Sequence, residues 1–185
     1  MRVISGRFKG HPLKAVPGRN TRPTADRVKE AIFNLVPNGL YLEKKGLDLF
    51  AGTGSLGIEA LSRGCAQVTF VDHHSEAISV IYHNLKTLGL KEKAKVYKQD
   101  ALRMVRLLAK RGESFQIIFI DPPYDWPRLE TLLEQIGKLN LLDRNGVMVV
   151  ETAKTRSLAP QYSGMAQFKH QVYGDTAVRI YMREE

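Results

Sequence analysis

Hydrophobic positions along the chain fall into two alternating rhythms. Short apolar runs recur at 46–50, 67–71, 94–98, 115–120 and 147–151. They are rich in the β-branched and aromatic residues that suit a pleated, buried surface. Between them lie stretches with apolar residues three and four positions apart, near 56–62, 75–88, 101–110 and 128–139, and this spacing predicts helices. A further helix is expected over 24–36, with Thr24 as N-cap, Val28, Ile32, Phe33 and Leu35 facing inward, and Arg27 and Lys29 facing outward. Such alternation means a parallel sheet with helices on both faces. The rhythm changes at the end of the chain. Segments 166–173 and 176–183, separated by Gly174-Asp175, leave no room for a crossover helix, so an antiparallel hairpin is expected to close the sheet. The expected fold is thus α/β, with a mostly parallel seven-stranded sheet.

Carboxylates cluster at the predicted strand ends. Asp48 lies at the end of the first strand, Asp72 closes the second, Asp100 follows the third and Asp121 follows the fourth. Open α/β sheets bind ligands along that edge. Between the first strand and its helix runs Phe50-Ala51-Gly52-Thr53-Gly54, the start of a glycine pattern that allows tight turning and close approach of a ligand to a helix N-terminus. A pyrophosphate would be repelled by so many carboxylates. A cationic, phosphate-free nucleoside would not, and S-adenosylmethionine is one. Asp72 can accept hydrogen bonds from both ribose hydroxyls, with His73 beside it. For Asp100, an N-cap before Ala101 and an adenine contact are equally open.

Asp121-Pro122-Pro123-Tyr124 suggests what the ligand is for. An exocyclic amine on a nucleobase is a poor nucleophile, because its lone pair is delocalised into the ring. If the Asp121 carboxylate and the Pro122 carbonyl each accept one N–H, the lone pair is aimed at an electrophile by positioning alone. Pro123 keeps the loop stiff and short of donors. Tyr124 offers a ring face on which an unstacked base can lie.

Charge and composition narrow the picture further. The net charge is +9, and residues 1–45 hold ten Lys or Arg against three carboxylates, leaving the other 140 residues near neutral. That asymmetry is expected of a phosphate-binding arm on a catalytic body, divided as residues 1–23 and 24–185. Within the arm, the pattern through Val3, Ile4, Phe8, Leu13 and Val16 suggests a short β-hairpin or two extended segments, and Arg2, Arg7, Lys9, Arg19 and Arg22 are the expected phosphate contacts. No run is long enough to span a membrane, and the polar N-terminus is unlike a signal peptide, so a cytoplasmic protein is expected. The single cysteine, Cys65, reads as a packed thiol. The five histidines are scattered, and His73-His74 lacks the helical spacing of two ligands, so no metal is expected and His74 is taken as a loop residue.

Five segments carry a resemblance that runs nearly end to end. They are Arg2-Val3-Ile4-Ser5-Gly6, Arg22-Pro23-Thr24-Ala25-Asp26-Arg27-Val28-Lys29-Glu30, residues 47–61, Asp121 to Tyr124, and Tyr181-Met182-Arg183. On these the chain resembles the Class I S-adenosylmethionine-dependent methyltransferases, and more closely the RsmD-type small-subunit ribosomal RNA (guanine-N2)-methyltransferases. The resemblance implies a Rossmann-like methyltransferase fold and one guanine amine in 16S ribosomal RNA as target. It also implies S-adenosylhomocysteine as product, a small-subunit particle or assembly intermediate as partner, and a monomer. It further implies that Thr24, and less directly Arg27, touch the methionine end of the cofactor. Tyr124 departs from family members that carry Phe, and this leaves the stacking argument intact. Three alternatives stay open on the residues alone: a nicotinamide-dependent oxidoreductase, a non-catalytic RNA-binding assembly factor, and an adenine-N6 methyltransferase acting on DNA or another RNA.

Overall fold

The computed structural model describes residues 1–18 and 23–183, with Pro23 and Thr24 described by backbone alone. The expected contacts of Arg19, Arg22 and Thr24 therefore lie outside the described residues. Helix α1 (Pro23–Leu35) leads into β1 (Lys45–Leu49), α2 (Ser55–Ser62), β2 (Gln67–Asp72), α3 (Ser75–Thr87), β3 (Ala94–Lys98), α4 (Ala101–Lys110) and β4 (Phe115–Ile120). Then follow α5 (Leu129–Lys138), β5 (Leu142–Ala153), β6 (Gln161–Tyr162), β7 (Met165–Tyr173) and β8 (Thr176–Arg183). The strands form one sheet in the order β3-β2-β1-β4-β5-β8-β7-β6. Strands β1 to β5 pair parallel, and β8 runs antiparallel against β5.

Two features go beyond the expected pattern. A two-residue strand, β6, pairs with the start of β7 and makes an eighth strand. It is too short to show a period-2 signal. Strand β5 begins at Leu142 rather than 147, because Leu142 pairs with Phe115 before the register shifts to Ile117 opposite Val147. The polar residues Asp143 to Gly146 that break the apolar pattern form this irregularity, and Asn145 takes φ 59° there.

Alternation along the strands divides the core into two layers. Phe70, Phe119, Val149 and Val178 pack beneath α1, α2 and α3, against residues such as Ile32, Ile58 and Ile81. Leu49, Ile120, Val150 and Tyr181 face α4 and α5, against Met104, Leu108, Leu129 and Leu133. Gly57 allows α2 its close approach to β2, since a Cβ there would lie 2.4 Å from Phe70 Cε1. Gly57→Ala is expected to cost about 1–3 kcal/mol by overpacking and to lower the melting temperature by about 2–12 °C in calorimetry.

The N-terminal segment turns back on itself, with an isolated antiparallel bridge between Arg2 and Pro12, and is docked on the body. Val3 N–H donates to His11 O at 2.9 Å, Gly10 N–H to Val3 O at 2.8 Å and Leu13 N–H to Met1 O at 3.0 Å. Its anchor is Glu59 on α2, fully buried, whose two oxygens accept the N–H groups of Ile4 (2.8 Å) and Ser5 (2.9 Å). Lys29, expected to face solvent, is instead 3% exposed. Its ammonium donates to Arg2 O and Ser55 Oγ and lies 3.6 Å from Glu59, so the arm, α1 and α2 meet on one buried ion pair. The need of a buried carboxylate for a cation overrides the helical face that periodicity alone predicts.

Candidate active site

Strand order reverses between β1 and β4, and this opens a crevice at their carboxyl ends. The carboxylates expected there arrive by different routes. Asp48 is the penultimate residue of β1, 2% exposed, with Oδ2 accepting Gly57 N–H at 2.9 Å. Asp72 closes β2, and its Oδ2 accepts Gly52 N–H at 2.9 Å while Oδ1 accepts His74 N–H at 2.9 Å. Oδ1 also meets His74 Nδ1 at 3.1 Å, so Oδ2 is the oxygen that keeps a lone pair for a further donor. Asp121 directly follows β4. Asp100 caps α4, accepting Arg103 N–H at 3.0 Å, and its other oxygen pairs with Arg128 at 3.1 Å.

The turn joining β1 to α2 is tight. Phe50 takes φ 59°, Gly52 φ 56° and Gly54 φ 78°. A Cβ on Gly54 would sit 3.3 Å from Phe70 Cε1, so conformation and space both call for glycine. Buried Asn84 on α3 holds this loop to the arm, donating to Thr53 O (3.0 Å) and Lys14 O (3.2 Å) and accepting Lys14 N–H at 2.8 Å.

Phe50 borders three adjoining cavities. One of about 410 Å³ lies between Asp72, His73, Asp100, Ala101, Trp126 and Arg128. A second, of about 240 Å³, is lined by Met1, Asp48, Ala51, Gly52, Thr53 and Asp121 among others. The third, about 330 Å³, opens between Asp72, His73 and His74 on one side and Asp121 to Tyr124 on the other. The chamber beside Ala101 and Trp126, Asp72 at the divide and the chamber lined by Asp48 and Asp121 suit a nucleoside with a cationic tail. Tyr124 is 49% exposed, and its hydroxyl meets Thr176 Oγ1 at 3.1 Å. Arg156 holds the loop behind it by donating to Trp126 O at 2.7 Å and Tyr124 O at 3.3 Å.

Electrostatics at this edge follow from burial. Burial pushes the Asp48 carboxyl well above the usual carboxylate range; the Gly57 hydrogen bond opposes that, and the charges of Asp121 and Asp72 add to it. Burial, then the charge of Asp121, raises Glu151 on β5 to about 8.

Of the described residues expected at the cofactor and target, all but Gly54 and Arg27 line one or more of these cavities. Arg2, Arg7 and Lys9 do not. They are exposed on the arm, where Arg2 and Lys9 line a separate cavity of about 530 Å³ with Arg27. Sequence reasoning missed Trp126, Arg128, Met1 and Glu151, and took His74 as a bare loop residue. His74 in fact lines the crevice, with Nδ1 3.1 Å from Asp72. Trp126 carried a signal, being the single tryptophan and close behind Tyr124; it packs edge-on to Phe50 at 4.9 Å. Asp72, His73 and His74 bring three potential ligand atoms within 4.8 Å. Asp72 is already committed to two backbone N–H groups, and we assign no metal to them.

The family model described as "Conserved hypothetical protein 95" matches residues 1–182. A relative named ribosomal RNA small subunit methyltransferase D, from Escherichia coli K12, is 34% identical over 191 residues, covering 100% of this chain and 90% of its own. The chain belongs to this RsmD-type family. A Bacillus subtilis member, YlbH, named as a candidate rRNA methyltransferase, is 46% identical over 184 residues, 99% of each chain. A solved E. coli structure, yhhF, described as a candidate methyltransferase, superposes with a TM-score of 0.86 at 32% identity over 100% of this chain and 98% of its own. The family likeness thus spans the arm as well as the sheet.

Proposed function

We propose that the protein transfers a methyl group from S-adenosylmethionine to the exocyclic N2 amine of one guanine in 16S ribosomal RNA. The observation that carries this reading is the convergence, around Phe50, of the Asp48-to-Gly54 turn, Asp72 and the Asp121-to-Tyr124 loop on one crevice. The relatives named for ribosomal RNA small subunit methylation support the substrate.

The residues fit the cofactor's parts. Asp72 faces the ribose hydroxyls, with His73 at its side. Asp100 and Ala101 border the adenine chamber, which Trp126 closes from the other side. Asp48 and the backbone of Gly52 to Gly54 shape the methionine end, where Thr24 is also assigned. The cofactor, when bound, supplies a methyl group activated by a positive sulfur. The protein supplies the acceptor: Asp121 and the Pro122 carbonyl each take one N–H of the target amine, the ring of Tyr124 supports the base, and the Asp121 carboxylate receives the proton that the amine gives up on methylation. Pro123 stiffens the loop, and its carbonyl accepts Trp126 N–H at 2.9 Å.

Residues 1–23 serve as the RNA-gripping arm, with Arg2, Arg7, Lys9, Arg19 and Arg22 on phosphates. Two observations support it: the arm carries most of the net charge, and its base, Met1 and Val16, lines the acidic cavity with Asp121. Loop or single-stranded RNA can deliver an unstacked base there. The substrate is a small-subunit particle or assembly intermediate and the protein acts as a cytoplasmic monomer; among the described residues no helix is long and apolar enough to cross a membrane.

The deciding experiment is mass-spectrometric mapping of modified nucleosides in ribosomal RNA from cells with and without the protein. Loss of a single N2-methylguanosine is expected, and an unchanged 16S profile would sink the reading. For the arm, replacing Arg2, Arg7 and Lys9 together by Ala is expected to weaken RNA binding. It should also flatten the salt dependence of binding, by about 0.7–0.9 in the log–log slope per lost phosphate contact. Filter binding across a salt series measures this, and an unaltered slope would move the RNA surface elsewhere.

A further inference from the structure

Charge is unevenly spread over the body. Residues 86–111 hold nine Lys or Arg against two carboxylates, Glu92 and Asp100, and an excess of carboxylates elsewhere in the body hides this in the overall balance. The fold gathers much of that charge at one place. Strand β3 is the outer strand of the sheet, paired with β2 alone, and it carries Lys95 and Lys98 on opposite faces. Lys91 and Lys93 stand exposed on the single 3-10 turn that leads into β3, Lys86 on the last turn of α3, and Arg111 just past α4. Of the acidic groups nearby, Asp100 is engaged by Arg128, Glu113 is shared between Lys45 and Lys95, and Glu76 and Glu92 are exposed. Among the described residues, Lys86, Lys91, Lys93 and Arg111 belong to no ion pair.

Two aromatic rings are interleaved with these cations. Lys98 Nζ donates to Ser75 Oγ at 2.6 Å, which marks the face of α3 that looks over the β3 edge, and Tyr82 and Lys86 share that face. The Tyr82 ring is 49% exposed. On the other face of β3, the Arg111 guanidinium lies 5.8 Å from the centre of the Tyr97 ring and donates to its hydroxyl at 3.3 Å. The patch also joins the regions already described. Lys98 stands opposite Asp72 in the β2–β3 register, so one end of the patch reaches the rim of the crevice. Asn84, between Tyr82 and Lys86 on α3, holds the Lys14 backbone, so the basic surface of the arm continues over α3 to the β3 edge.

Resting on the ribosomal RNA reading above, we propose that the β3 edge is a second RNA-binding surface, which takes the phosphate backbone of the same ribosomal RNA beyond the stretch gripped by the arm. Cations from α3, the turn, β3 and the end of α4 can meet a phosphate chain at several points, and each neutralised phosphate releases condensed counterions. Tyr82 offers a stacking face for an unpaired base beside them. Lysines also discourage a free strand edge from pairing with another chain, but that role asks for charge on the strand alone. Here the exposed charge extends onto the turn and both flanking helices. Strand β3 stands two strands from β1, about 10 Å across the sheet, so an RNA that meets both the arm and this edge passes the crevice. Engaging two linked surfaces raises affinity through effective concentration, and it favours an RNA folded to reach both.

The test uses small ribosomal subunits from cells that lack the protein. Replacing Lys86, Lys91 and Lys93 together by Gln is expected to lower the log–log salt slope of subunit binding by about 2–3, at about 0.7–0.9 per lost phosphate contact. Cofactor affinity of the same variant, measured by calorimetry, should match the wild type and so report an intact fold. Lys138→Gln combined with Arg144→Gln removes charge from α5 and β5 instead, and should leave the slope in place. A second measurement needs no variant: acylation of lysine amines on the wild-type protein, mapped by mass spectrometry, should be slowed at Lys86, Lys91 and Lys93 by bound subunits and by deproteinised 16S RNA, and unchanged at Lys138. An unaltered slope, an equal loss in the Lys138 and Arg144 variant, or no protection of the three lysines overturns the proposal while leaving the methyltransferase reading standing. Protection by subunits that disappears on deproteinised RNA gives the edge to a protein partner and overturns it too. Failure of the wild type to bind or methylate subunits overturns the ribosomal RNA reading and this proposal with it.

Discussion

Asp121→Ala is expected to abolish methyl transfer, with single-turnover incorporation into RNA falling by about 10²-fold or more, the scale on which lost positioning and proton acceptance are felt. Cofactor affinity should stay within about a few-fold. The reason is that the Asp121 carboxylate acts mainly on the substrate amine, while Asp72 and the glycine turn that it braces stay in place for the cofactor. Retention of more than about a tenth of the wild-type rate would exclude Asp121 from the chemistry. A parallel collapse of cofactor binding would show that its main partner is the cofactor rather than the amine.

Asp72→Ala should produce the largest loss of cofactor affinity, at least about 1.5–3 kcal/mol, the range for hydrogen bonds to a charged group. Asp72 also braces the protein itself, through Gly52 N–H and His74 N–H, so the substitution frees the glycine turn as well as the ribose hydroxyls. Calorimetric titration measures the change. Affinity equal to wild type would mean that the ribose is held elsewhere.

The arm and the body are coupled by more than proximity. Glu59 holds the backbone of Ile4 and Ser5 and meets Lys29, which in turn donates to Ser55 Oγ at the start of α2. Asn84 bridges Lys14 and Thr53. The positively charged surface therefore sits in fixed register with the crevice. On the proposed function, an RNA gripped by Arg2 and Lys9 would be held at a set distance from Asp121, the arrangement that positioning catalysis needs.

Legibility in the sequence tracked the range of the interaction concerned. Strands such as 67–71 and 115–120 follow from apolar runs of the right length, and α4 from a strongly amphipathic pattern, because burial of one face is a local property of consecutive residues. The loop Asp121 to Tyr124 and the turn Phe50 to Gly54 were legible because their chemistry is carried by neighbours in the chain. Asp100 shows the limit: a capping role and an adenine contact were both open, and the folded chain shows the cap, through Arg103, with Asp100 also lining the chamber beside Ala101. Lys29 failed the helical-face rule because a carboxylate thirty positions away decides its direction.

By itself, then, the sequence determined the alternation of elements, the parallel sheet with its closing hairpin, the basic arm, and the two motifs that name the chemistry, since each rests on spacing or composition within a short window. Only the tertiary structure decided what the arm rests on and that Trp126 and Arg128 close the chamber opposite Asp72. It alone set the bulge that starts β5 early and the place of Glu151 beside Asp121. These depend on the register of strands far apart in the chain, as Ile120 against Val150 shows. Register is settled by the packing of two whole faces at once, a constraint no local window of residues contains.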